Sequence, residues 1–453
     1  MSDQTQETSG ATRLERLHAV LDKGTLNQAG RMLNALHPGE IAHLLESLPL
    51  AQREIVWGLV NEENGGEVLM LVADEVRSDL ISKMETSQLL AASEGLDTDD
   101  LADLVQELPD TITREILDSL DHQHRDRLEA ILSYPEDTAG GLMNPDTITV
   151  RPEVTLDVVM RYLRHLKDKI PPQTDILMVV NRDGKYLGVL PLTVLVTHAP
   201  DDTVAEVMSL DARAMPADWE ARKVANRFEQ HDLVSAPVID EEGRLIGRIT
   251  IDDVVDVIRE EGEHQFMGQA GLSEDEDMFA PVLVSARRRA LWLGINLITA
   301  LLASWVIGLF EATIEKIVAL AVLMPIVASM GGIAGSQTLT LTIRGIALGQ
   351  LSGKNTRWLV LKELAVGTLN GLIWAAVVAV IAGFWFNDVN LGLLIATAMI
   401  INLVLAALTG TLLPMTLDKV GIDPALAGSV LLTTVTDIVG FFAFLGLATL
   451  FLL

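Results

Sequence analysis

The chain closes on LLTTVTDIVGFFAFLGLATLFLL, residues 431 to 453, apolar enough to sit in lipid except for one carboxylate, Asp437, near its middle. A helix needs roughly 20 apolar residues to cross the hydrocarbon core of a bilayer, so the run reads as a membrane span. A charge near the bilayer centre costs at least about 2.5 to 3.5 kcal/mol on insertion scales, which makes an intramembrane Asp a functional group by default. Two readings are open: an ion site, or a structural hydrogen bond to a Ser, Thr or Asn of a neighbouring helix. No Lys or Arg stands mid-span to neutralise the acid. Thr433 and Thr434 precede it by four and three residues, which puts all three on one helical face.

Working outward, apolar runs give five spans, at 290–310, 317–342, 359–386, 390–415 and 425–451. Residues 286–453 hold seven acids and nine bases, net +2, so the chain total of -29 leaves -31 on residues 1–285. An acidic polar front therefore precedes an α-helical transmembrane domain at 286–453. The opening MSDQTQETSG lacks a basic-then-apolar signal pattern, which predicts that the acidic half stays in the cytoplasm. Arg287, Arg288 and Arg289 precede the first span, and Arg344, Lys354, Arg357 and Lys362 surround the second-to-third junction. The third-to-fourth junction, FNDVN, has no base. The positive-inside rule then predicts a multi-pass protein of the cytoplasmic (inner) membrane with its N-terminus inside and its C-terminus outside. The absence of cysteine removes disulfides, thiolate metal sites and cysteine nucleophiles. With no phosphate-binding loop, nucleophile elbow or metalloprotease helix, no enzyme is read, and no nucleic-acid partner is expected.

The acidic half contains two kinds of internal repeat. EIAHLLESLP (40–49) and DLADLVQELP (100–109) match at an offset of 60, with apolar residues at helical spacing and a closing Pro. They predict an all-α superhelical domain over residues 10–133. MVVNRDGKYLGVL (178–190) and PVIDEEGRLIGRI (237–249) match at an offset of 59, each a strand, a charged-Gly turn and a strand. With helix-forming flanks such as VTLDVVMRYLRHL and DDVVDVIREE, they predict a pseudo-symmetric α/β pair over residues 134–258.

A linking helix is expected at 259–285, continuing from ITIDDVVDVIREEGEHQF, which carries Asp252, Asp253, Asp256, Glu260, Glu261 and Glu263. Asp252, Asp256, Glu260 and Glu263 form one stripe at spacings of four, four and three. Such a stripe is ordinarily a solvated face; its alternative is a set of like charges bridged by a divalent cation. All nine histidines lie at or before His264, so the spans offer a metal only oxygen ligands, which suit Mg2+, Ca2+ or Mn2+. Mg2+ dehydrates reluctantly, so one carboxylate acting through water, with carbonyls around it, is a workable pore site. Pro325 and MGGIAGS (330–336) read either as close helix packing or as backbone carbonyls freed to coordinate, at Gly331 and Gly332. Asn296 and Asn402, each mid-span, read as interhelical hydrogen-bonding residues ahead of ion ligands.

The α/β pair resembles tandem CBS domains. In its second unit G-R-I-T-I-D-D (247–253) is similar to that family's nucleotide pattern, which implies that Thr250 and Asp253 hold ATP or another adenine nucleotide. The first unit reads GVLPLTVL and lacks the Asp. The whole arrangement resembles the MgtE family of magnesium channels and transporters over nearly the full chain. Its local matches are GGLM (140–143), FE (310–311), P-x-x-x-x-x-G-G-x-x-G-x-Q (325–337), D-P-A (423–425) and T-T-x-x-D (433–437). Ile333 stands where the family often has Asn, and AGSV (427–430) lacks a Pro that many members carry. The resemblance implies a homodimeric Mg2+ channel in the lipid bilayer, with Asp437 and Asp423 as metal positions and Mn2+ or Co2+ as further ions. It implies closure when cytosolic Mg2+ binds the acidic cytoplasmic domains. A proton- or Na+-coupled carrier and a non-conducting CBS-based sensor remain the alternatives.

Overall fold

The computed structural model describes residues 26–171, 173–273, 276–351 and 353–453, so the first part of the expected superhelical domain, residues 10–25, lies outside the described residues. The chain forms two compact units. One runs to Glu261 and returns for Asp275–Ala280; the other comprises Gly262–Glu274 and Pro281–Leu453.

The first unit begins with nine short helices among the described residues: Leu26–Leu33, Pro38–Glu46, Leu50–Trp57, Glu62–Leu71, Asp74–Ile81, Thr86–Ser93, Thr98–Gln106, Asp110–Ser119 and His122–Ile131. The 60-residue repeat maps helix onto helix. Pro38–Glu46 buries Ile41, Ala42, Leu44 and Leu45, and Thr98–Gln106 buries Leu101, Ala102, Leu104 and Val105 at the same relative positions. The Pro that closes each repeat, Pro49 or Pro109, stands at the N-cap of the next helix. Helices this short are marginal alone and are stabilised by packing on one another, several of them on the next but one. Pro38–Glu46 packs on Glu62–Leu71, Glu62–Leu71 on Thr86–Ser93, and Thr98–Gln106 on His122–Ile131.

One buried cation interrupts this apolar stacking. Arg53 is fully buried; its Nε donates to the Leu45 carbonyl at 2.9 Å and its Nη1 pairs with Asp277 at 2.8 Å. The Asp277 amide donates to Glu75 at 2.6 Å, and Asp277 Oδ1 accepts from the Phe279 amide at 2.9 Å. Residues 276–280 are thereby held by the helical array.

The α/β pair consists of two three-stranded sheets, β1 (Thr149–Val150), β2 (Ile176–Val180), β3 (Tyr186–Pro191) and β4 (Met215–Pro216), β5 (Ser235–Ile239), β6 (Leu245–Thr250). In each the first strand is parallel to the second and the second antiparallel to the third. Ile176 pairs with Pro191 and Ser235 with Thr250, and every later pair keeps the same 59-residue offset, including the register shift after Val179 and after Val238. The units meet at their turns through reciprocal bonds: the Tyr186 amide donates to the Gly243 carbonyl and the Leu245 amide to the Gly184 carbonyl, each at 3.0 Å. Gly184 and Gly243 hold φ of 78° and 77°, a conformation costly for a residue with a Cβ. The GGLM segment enters against the second sheet, with the Ala139 and Gly140 amides donating to the Trp219 and Ala217 carbonyls.

The expected helix over 259–285 is divided. One helix covers Ile251–Gly268, and the next begins at Val282 after Pro281. The stop is a Schellman-type cap: Gly271 has φ of 71° and the Leu272 amide donates to the Met267 carbonyl at 3.0 Å.

The second unit contains five helices long and apolar enough to span a membrane: Val282–Gly308, Ala319–Ala347, Gly353–Phe386, Val389–Val420 and Pro424–Phe451. A short helix, Glu311–Lys316, joins the first to the second. The fourth span is the most enclosed; it packs on the second, third and fifth, and the second also packs on the fifth. Asp388 caps the fourth span by accepting from the Asn390 amide at 2.9 Å. Gly421, with φ of 76°, ends it and allows the turn into the fifth.

Candidate functional site

The second and fifth spans form the walls of a groove of about 980 Å³. Ser329, Gly332, Ser336, Gln337 and Thr340 recur at three- and four-residue spacing on the second span, and Thr433 and Asp437 face them from the fifth. The face is mixed, because the apolar Ala328, Ile333 and Leu341 line it beside these small, hydroxylic and amide residues. Asp437 is the only carboxylate lining the groove among the described residues, and none of them donates a hydrogen bond or forms an ion pair with it. Thr433 donates its hydroxyl proton to its own helix, to the Ser429 carbonyl at 2.7 Å, so its oxygen faces the groove as an acceptor. Thr434, bonded in the same way to the Val430 carbonyl, does not line it. The groove thus presents one fixed negative charge with hydroxyl and amide groups on a partly apolar face, and the charge attracts a hydrated cation.

The two glycines expected to offer carbonyls differ. Gly332 lines the groove, whereas Gly331 is buried on the face towards the fourth span. A Cβ at Gly331 would lie 2.2 Å from Asn402 Nδ2, so close packing accounts for this glycine. The helix Ala319–Ala347 runs unbroken through both positions with Pro325 inside it, so their carbonyls stay within helical geometry. Asn402 makes the interhelical hydrogen bond read from the sequence, donating Nδ2 to the Val327 carbonyl at 2.9 Å. Asp423 lies outside the groove: Oδ1 caps the fifth span by accepting from the Ala425 amide at 2.8 Å, and Oδ2 is 2.7 Å from His264 Nε2. Glu363, which the sequence pattern does not single out, is buried beside Thr338, whose hydroxyl donates to it at 3.2 Å, and Lys362, at 2.5 Å.

The acidic helix has a counterpart in its own unit. Asp97, Asp99, Asp100 and Asp103, at the start of Thr98–Gln106, lie near it: the charge of Asp252 helps raise Asp97 and Asp100, that of Glu260 helps raise Asp103, and that of Asp99 helps raise Asp253. Burial, followed by repulsion from neighbouring carboxylates, pushes Asp99 up to about 6 and Asp100 to about 7. Asp103 rises to about 7, from burial and despite Arg77. Burial and the charges of Asp99 and Asp252 push Asp253 to about 8, against the bonds it accepts from the Thr250 amide at 3.3 Å and hydroxyl at 3.1 Å. Asp256 and Glu260 are raised, by burial first and by neighbouring acids. Thr250 and Asp253, the expected nucleotide contacts, therefore cap the start of Ile251–Gly268 together. Glu261 turns away to Arg222 at 3.3 Å, and Glu263 is exposed further along the helix. Among the described residues no three His, Cys, Asp or Glu side chains converge as metal ligands, so the stripe is a repelling surface without a formed metal centre.

The acids of Thr98–Gln106 had a signal in the repeat. At the 60-residue offset Asp97, Asp99, Asp100 and Asp103 stand against His37, Gly39, Glu40 and His43, so three of the four positions become acidic only in the second copy.

Residues 324–447 match the family model of the divalent cation transporter MgtE, residues 36–137 that of the MgtE intracellular N domain, and residues 139–200 and 204–260 the CBS domain. The magnesium transporter MgtE of Thermus thermophilus is 31% identical over 446 residues, spanning 96% of this chain and 98% of that protein. The magnesium transporter MgtE of Bacillus subtilis is 25% identical over 437 residues, spanning 96% and 97%. Among solved structures, the cytosolic domain of the Mg2+ channel MgtE in complex with ATP aligns at 32% identity with a TM-score of 0.49, covering 54% of this chain and 99% of that one.

Proposed function

The chain belongs to the MgtE family of magnesium transporters, a non-enzymatic family, and from that premise we propose that it is a Mg2+ channel whose ion path is the groove at Asp437. The observation that carries this is the Asp437 carboxylate, without a partner among the described residues, facing hydroxyl and amide groups of the second span across a partly apolar groove. A divalent ion held through one water, about 4.5 Å from a carboxylate, gains roughly 7 kcal/mol at an effective dielectric of about 20. That attracts a hydrated ion without caging it, as conduction requires. Mn2+ and Co2+, of similar charge and hydration, are further candidate ions.

The groove is open; a homodimer that sets a second copy of the chain over it would enclose the ion path. The bases before the first span and around the second-to-third junction favour an inner-membrane orientation with the acidic unit in the cytoplasm. Cytosolic Mg2+ would bind between the acids of Thr98–Gln106 and those at Asp252, Asp253, Asp256 and Glu260, relieving their repulsion. Its preference for the compact arrangement would shift the population towards a closed pore. An adenine nucleotide at Thr250 and Asp253 would have to replace the capping bonds those residues make with each other.

Mg2+ flux into liposomes containing the purified protein tests the reading. Flux should be saturable and lost in Asp437→Asn, and unitary current steps should identify a channel. Wild-type flux from Asp437→Asn, or no flux from the unmodified protein, would refute it.

A further inference from the structure

We infer that Asn402 sets the separation of the two groove walls and is therefore a positioning residue for ion selection, an inference that rests on the groove being the ion path. Asn402 belongs to the fourth span, which does not line the groove, and is 1% exposed. Its Nδ2 donates to the Val327 carbonyl at 2.9 Å, at the residue before groove-lining Ala328. The same amide fills a slot between two glycines, one from each wall. A Cβ would lie 2.2 Å from Asn402 Nδ2 if built on Gly331 of the second span and 2.8 Å if built on Gly440 of the fifth.

Gly331 immediately precedes Gly332 on the groove face, and Gly440 lies three residues beyond Asp437. The planar amide is thus a spacer whose thickness is transmitted to both walls by backbone contact. Its hydrogen bond fixes the height of the second span, in surroundings where water does not compete for the carbonyl. Both glycines are needed because the spacer is a side chain wider than a methyl group.

Wall separation matters for selection because hydrated divalent ions differ in size and in how readily they dehydrate. Ca2+ accepts longer, more variable oxygen distances than Mg2+ and loses water more easily. A wider groove should therefore favour Ca2+ at the expense of Mg2+. A residue that only stabilised the fold would change the amount of active protein and leave the ion preference alone.

The test measures initial flux against Mg2+ and Ca2+ concentration in liposomes. It compares the unmodified protein with Asn402→Leu, Asn402→Ser, Gly331→Ala, the double variant Gly331→Ala with Asn402→Ser, and Asp437→Asn, each checked for folding by detergent gel filtration. Asn402→Leu keeps the volume without the donor, and Gly331→Ala fills the slot. Each should change the Mg2+/Ca2+ flux ratio by about tenfold, a change that corresponds to about 1.4 kcal/mol of relative preference. Asn402→Ser makes room for the added methyl and keeps a donor, so the double variant should recover much of the ratio that Gly331→Ala loses. If Asn402→Leu does not yield folded protein, Gly331→Ala and its rescue decide the matter. Unchanged ratios in the Asn402 and Gly331 variants, or no rescue, overturn the inference alone when Asp437→Asn has abolished flux. Full flux from Asp437→Asn overturns the groove reading and this inference with it.

Discussion

A carboxylate in a membrane helix is expensive, and its surroundings determine how the cost is offset. Glu363 is offset by Thr338 and Lys362, a structural solution. Asp437 has no such partners among the described residues, so charge should matter at 437 more than shape. Asp437→Asn is expected to lower Mg2+ flux by at least about 100-fold, the order expected from losing several kcal/mol of ion attraction. Asp437→Glu should retain measurable flux, which ion uptake into liposomes would read directly. Asp437 was legible in the sequence because a single charge in an apolar run stands out without knowing the fold. Gly331 was not: a glycine shows only that something approaches closely, and the approaching group, Asn402, lies 71 residues away on another helix.

Between helices, the acids of Thr98–Gln106 and of Ile251–Gly268 make a prediction about pH. Their carboxyls are raised, so the folded unit retains protons that the unfolded chain releases above about pH 4. Stability should therefore fall as pH rises from about 4 to about 8, because the native state binds more protons throughout that window. In Mg2+-free buffer the first unit should be less stable at pH 8 than at pH 5 by at least about 2 kcal/mol, since a tenfold difference in proton affinity between folded and unfolded chain is worth about 1.4 kcal/mol. Millimolar Mg2+ at pH 8 should restore most of the loss in denaturant titrations. Asp100→Asn should raise stability at pH 8 and shrink the Mg2+ effect.

A companion prediction concerns gating. Neutralising Asp252, Asp256, Glu260 and Glu263 together should abolish closure by cytosolic Mg2+ in current recordings, with partial effects from single substitutions. Closure at an unchanged Mg2+ concentration would make the stripe a solvated face. The stripe itself was legible from its spacing, but its opposing acids belong to a helix about 150 residues earlier, and charge pattern alone cannot pair elements that distant.

At the scale of the molecule, the features read most fully from sequence were those written twice. The 59-residue offset reappears as strand register down to the bulge, and the 60-residue offset as matching buried positions. The apolar spans followed from length alone. What escaped was the division of the expected helix over 259–285, because capping at Gly271 and capture of Asp277 by Arg53 depend on local backbone geometry and on a contact across 224 residues. That capture bears on where the chain can be cut. A fragment ending at Gly268 looks natural, since the helix stops there, yet it would strand the Arg53 guanidinium, whose Nη2 already has no hydrogen-bond partner among the described residues. Losing one member of a buried ion pair typically costs about 3 to 5 kcal/mol, so fragments stopping at 268 should unfold that much more easily than fragments carried to Ala280. Asp277→Asn in the longer fragment should reproduce most of the deficit in a urea titration. The dozen residues that look like dispensable linker are thus part of the minimum folding unit, and soluble fragments prepared for biophysical work should retain them.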